Sequence, residues 1–79
     1  MHRVRNKMEL SYAHLKVLRA IITLKGKPST MVGIGEVAGL TDWTAKKSIQ
    51  ELRDAGYIEI VQSRRNAPGV WSVIREWRL

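Results

Sequence analysis

Residues 39–60 read GLTDWTAKKSIQELRDAGYIEI, and this stretch decides the fold. Thr41 is placed to cap a helix, because its hydroxyl can accept from the free N–H groups of the first turn, and Asp42 complements the positive end of the helix dipole. Beyond them Ala45, Ser48, Ile49, Leu52 and Gly56 recur at spacings of three and four and share one face, with Gly56 ending the segment. Trp43, Lys47, Gln50 and Asp54 share the opposite face, with Lys46 and Arg53 beside them. A helix over about 42–55 is expected, small and apolar behind, aromatic and cationic in front. Residues 57–61, YIEIV, then alternate and are rich in β-branched side chains, and VWSVI at 70–74 is a second such run. Between them SRRNAPG, 63–69, carries the Asn, Pro and Gly of a turn, so the two runs predict a β-hairpin.

Working back towards the N-terminus, residues 10–25 form a first helix with Ser11 as its cap. Leu15, Leu18 and Ile22 make one apolar stripe, and Leu10, Ala13, Val17, Ala20 and Leu24 make a second. Only Tyr12, Lys16, Arg19 and Thr23 form a polar strip, so the helix needs cover on more than one side. Either it is central in the domain or its second stripe meets another copy of itself. Gly26 and Pro28 stop it. Thr30, Met31 and Val32 suit a short edge strand, and the spacing of Ile34, Val37 and Ala38 suits one and a half helical turns within 34–39. Residues 1–9 lack a period and hold His2, Arg3, Arg5 and Lys7, which reads as a basic arm or a solvated terminus. The expected organisation is an arm over 1–9 and one folded domain over 10–79.

Bulk composition narrows the chemistry. A chain of 79 residues buries only about 60% of its unfolded surface, so the core is small. Fourteen Lys and Arg against seven Asp and Glu give a net charge of +7, which favours an anionic partner, either nucleic acid or an acidic membrane surface. There are no cysteines, hence no disulfide or thiolate metal site, which is compatible with a reducing compartment. No apolar run approaches the roughly 20 residues of a membrane span, and the basic start does not read as a signal peptide. His2 and His14 have no metal-site spacing, and His14, beside Leu15 and Leu18, is expected to be a satisfied, half-buried histidine. GIGEVAG at 33–39 has glycines spaced like a dinucleotide loop but no long strand or βαβ unit before it. No nucleophile and base set is arguable from spacing, so neither catalysis nor a cofactor nor a metal is expected.

The segment IGEVAGLTDWTAKKSIQELRDAGYIEI, residues 34–60, resembles the winged helix-turn-helix family of DNA-binding domains found in MarR- and GntR-like regulators. The resemblance is carried by Val37-Ala38, Leu40, Thr41, Thr44-Ala45, Ile49, Leu52 and Gly56-Tyr57-Ile58, and Leu10 to Leu24 fits the family's first helix. It implies an α+β fold, three helices plus a C-terminal β-hairpin wing. It also implies double-stranded DNA as partner, with a recognition helix at about 42–55 in the major groove and a wing at about 63–69 on the backbone or minor groove. On that reading the chain is a small transcriptional regulator of the cytoplasm, associated with the nucleoid when bound. The DNA-binding residues would be Trp43, Thr44, Lys46, Lys47, Gln50 and Arg53 on the helix and Arg64 and Arg65 on the wing.

The roles follow from side-chain chemistry. Lys46 and Lys47 suit phosphate or guanine, Gln50 a bidentate adenine contact, Thr44 a hydroxyl contact, and Arg64 and Arg65 a narrow minor groove. Trp43 departs from the family pattern, where smaller polar residues are commoner. It reaches a sugar, a thymine methyl or a phosphate, or it folds back over the neighbouring helices. Arg3, Arg5 and Lys7 would act as a minor-groove arm. Trp71, alternating with Val73, is expected in the core. Trp77 either seals the first helix or joins it in a homodimer interface made with the C-terminal tail. The competing reading is a winged-helix protein–protein interaction module, in which the apolar surfaces and three tryptophans serve assembly and the charge is incidental.

Overall fold

The computed structural model of the chain describes residues 9–62 and 67–75. Arg3, Arg5, Lys7, Arg64, Arg65 and Trp77 lie outside the described residues. Helix α1 spans Tyr12–Leu24 and starts, as expected, at Ser11, whose hydroxyl accepts from the His14 backbone N–H. The His14 ring answers by accepting at Nδ1 from the Ser11 backbone N–H at 2.9 Å. A histidine here does what Glu or Gln does in the usual reciprocal cap. The helix closes through two left-handed residues, Lys25 at φ 51° and Gly26 at φ 83°.

Helix α1 is central, and its buried seam differs from the two stripes read from the sequence. Val17, Leu18, Ala20 and Ile21 are buried, whereas Ile22 is 52% exposed and Leu15 only half-buried. Ile21 stands four residues after Val17 and three after Leu18, so it continues both rows on the face that the other elements cover. That face packs against α2 (Met31–Ala38), α3 (Asp42–Asp54) and the second strand of the hairpin.

The edge strand expected at Thr30–Val32 is not formed. It shrinks to one antiparallel bridge between Ser29 and Gly69, and Met31 and Val32 belong to α2. The cause is Thr30, whose hydroxyl accepts from the Gly33 N–H at 3.0 Å while its carbonyl accepts from Ile34. Capping by Thr30 overrides the β-propensity of its neighbours and starts the helix three residues before Ile34. Helices α2 and α3 then approach so closely that a Cβ on Gly35 would stand 2.8 Å from the Ala45 Cβ. Gly39, at φ 75°, turns the chain between them. Thr41 caps α3 by accepting from the Thr44 N–H.

Strands β1 (Ile58–Val61) and β2 (Val70–Val73) pair antiparallel, Ile58 with Val73 and Ile60 with Trp71. These four side chains face the core cluster, and Glu59 and Ser72 face away. Trp71 is a core residue, as expected, 4% exposed, and its indole N–H donates to the Ser29 carbonyl at 3.0 Å. The same carbonyl accepts from the Gly69 N–H at 3.0 Å, so the α1–α2 connection is tied to the hairpin. The architecture is α+β, three helices followed by a two-stranded antiparallel sheet, the layout of a winged helix-turn-helix.

Replacing Gly35 by Ala should force α2 and α3 apart and cost about 1–3 kcal/mol, read as a lower urea midpoint at unchanged slope. The double variant Gly35→Ala/Ala45→Gly should recover part of that loss. A Gly35→Ala protein as stable as the parent would refute the close approach.

Candidate nucleic-acid interface

The rear of α3 is closed before its front is considered. Ala45, Ser48, Ile49 and Leu52 are buried, and three of the four are apolar. With that face fixed, helical geometry turns Trp43, Lys46, Lys47, Gln50, Arg53 and Asp54 outwards, and all six are exposed. Thr44 sits half-buried at the flank, its hydroxyl oxygen accepting from Thr41 Oγ1 at 3.0 Å. Its own hydroxyl hydrogen remains able to donate outwards.

Trp43 does not fold back over the neighbouring helices. It is 70% exposed, and Lys47, one turn later, holds its ammonium 5.0 Å from the ring centroid. That distance is within the range of a cation–π contact. Lys16 on α1 makes a similar contact with Tyr12, at 4.8 Å. Among the described residues none of Lys16, Arg19, Lys46, Lys47 or Arg53 has a carboxylate within ion-pair distance. Among the described residues these charges are therefore not neutralised by ion pairs, which leaves a positive field on that part of the surface.

The C-terminal flank of α3 is different in sign. His14, Glu51, Asp54 and Ala55 line an open hollow of about 410 Å³. Within it His14 Nε2 lies 2.7 Å from Glu51 Oε1, the one acid–base side-chain contact among the described residues. Because the Ser11 N–H points at Nδ1, that nitrogen offers its lone pair and the proton sits on Nε2, directed at Glu51. The sequence reading placed His14 as a satisfied histidine; it is buried more deeply than expected and its partner was missed. Glu51 stands 37 positions away, and no local pattern links the two. Arg75 was missed as well. Its guanidinium lies 4.6 Å from the Tyr57 ring centroid and donates to the Ala55 carbonyl at 3.1 Å, fastening the end of the hairpin to the end of α3.

On the hairpin, the Gln62 side chain donates to the Ala67 carbonyl across the base of the loop. Arg64 and Arg65 lie outside the described residues. Among the described residues no group of three or more His, Cys, Asp or Glu is placed to hold a metal ion, and no helix is long and apolar enough to cross a membrane. No protein-family model matches the chain, and no curated protein matches it.

The His14 joint yields a stability prediction. His14→Ala removes both the reciprocal cap and the bond to α3 and should cost about 1–3 kcal/mol in chemical denaturation. Glu51→Gln keeps an acceptor for Nε2–H and should cost less. A His14→Ala protein as stable as the parent would show that the ring's bonds do not join α1 to α3.

Proposed function

We propose that this chain is a double-stranded DNA-binding protein of winged helix-turn-helix type, acting as a small transcriptional regulator. Helix α3 enters the major groove, and the loop over 63–69, with Arg64 and Arg65, lies on the backbone or in the minor groove. The observation that carries this reading is the front of α3. Trp43, Lys46, Lys47, Gln50 and Arg53 stand together on the outer face of a helix whose rear is core, and the three cations lack carboxylate partners among the described residues. A helix in the major groove needs this division: a fixed back, and donors for phosphates and base edges in front. The resemblance to MarR- and GntR-like domains and the net charge of +7 point the same way. The carboxylates Glu51 and Asp54 flank Arg53 at the far end of α3, so the middle turns with Lys46 and Lys47 are the part set closest to phosphate. Action in the cytoplasm, at the nucleoid, and pairing of two copies through α1 and the C-terminal tail belong to the same proposal.

A second reading, a protein-assembly module, is favoured by one observation, the exposure of a tryptophan together with Tyr12 and Ile22. The two readings separate by salt. Fluorescence anisotropy of a labelled random duplex should show binding that weakens steeply as salt rises. Lys46→Ala/Lys47→Ala should lower the slope of log affinity against log salt by about two, and Arg64→Ala/Arg65→Ala should weaken binding comparably. Absence of binding at low salt would favour the assembly module.

A further inference from the structure

We infer that Trp43 is a specificity-determining residue that reads the 5-methyl group of a pyrimidine in the major groove; the inference rests on the DNA-binding reading above. Trp43 is the second residue of α3, near the end of such a helix that contacts base edges. A large apolar ring left 70% exposed is unfavourable in water and calls for a surface to cover it. The Lys47 ammonium lies 5.0 Å from the ring centroid, covering one face and leaving the remainder to a partner. Most of what the major groove offers is donors and acceptors, which an indole, with a single N–H donor, would mostly desolvate without replacing their bonds. The apolar feature of that groove is the methyl group on C5 of thymine. A methylated cytosine carries its methyl at the corresponding ring carbon, so both bases share the chemistry. Lys47 remains able to reach a flanking phosphate while it stays over the ring. Gln50 lies two turns further on the same face, roughly 10 Å along the helix, so an adenine read by Gln50 would lie a few base steps from the methyl.

The test uses the full chain and a duplex recovered from a random-sequence pool by binding. Each thymidine of that duplex is replaced in turn by deoxyuridine, which removes one methyl and leaves the hydrogen-bonding edge intact. At one position the change should weaken binding about fourfold, the worth of a single buried methyl. Trp43→Ala should bind the thymidine and deoxyuridine duplexes equally, with an unchanged salt slope and an unchanged melting curve. Exchanging that base pair for cytosine or 5-methylcytosine opposite guanine then separates the sources. The methylated form should bind more tightly than the unmethylated one, and equal binding of the two overturns the inference; 5-methylcytosine bound more tightly than the original thymine identifies methylated DNA as the ligand, and the reverse order identifies thymine. Wild-type protein that binds DNA in a salt-dependent way but never distinguishes thymidine from deoxyuridine overturns this inference alone. So does discrimination that survives in Trp43→Ala. A chain that binds no duplex at low salt overturns the DNA reading, and this inference with it.

Discussion

At Gly35 and Ala45 the backbones of α2 and α3 come together with only a hydrogen atom and a methyl group between them. Small residues at a helix crossing allow a short interaxial distance, and interiors packed to crystal density leave little freedom to rotate once it is reached. Ile34 from α2 and Ile49 and Leu52 from α3 can then share one core with Val17 and Leu18. The rotation of α3 about its own axis is fixed by that contact. A turn of 100°, one residue's worth, would carry Trp43 and Lys47 around the helix and bring buried positions to the surface. The exposed face is thus a consequence of packing on the other side of the helix.

Charge is distributed along α3 as well as around it. Asp42, Lys46 and Lys47 occupy its first half, which is net positive like that end of the helix dipole, and Glu51, Arg53 and Asp54 occupy its last turns, which are net negative. The dipole and the side chains therefore act in the same sense towards an anion near the N-terminal end. Thr41 spends its hydroxyl on the helix start rather than on the surface in front. The His14 ring holds Glu51 towards α1, which keeps one carboxylate away from the outward face.

Much of this was legible in the sequence because the deciding signals are local. Ser11 and Thr41 mark helix starts through a hydroxyl and an N–H three residues on, and the spacing of Ala45, Ser48, Ile49 and Leu52 names the buried face. The hairpin was readable from alternation and from Asn, Pro and Gly between its arms. What was not legible depends on partners distant in sequence or on competition between two local preferences. Thr30 is equally at home in a strand or as a cap, and its hydroxyl, accepting from the Gly33 N–H, decides for the helix. Ile21 belongs to the core because of where α3 and β2 lie, not because of its neighbours in the chain. Glu51 and Arg75 find His14 and Ala55 across the fold. The outward set on α3 was readable as a face; the contact of Lys47 with the Trp43 ring fixes how that face is presented.

The pairing of Ser29 with Gly69 has a consequence for solubility. A two-stranded hairpin exposes unpaired backbone on its outer sides, and such edges recruit strands from other molecules. Here Gly69, just before β2, exchanges both of its backbone hydrogen bonds with Ser29, so pairing from outside is blocked at that point. Pro28, immediately before Ser29, has no N–H with which to lengthen a third strand. One residue of strand followed by a capped helix therefore guards the entrance to β2 against intermolecular sheet growth.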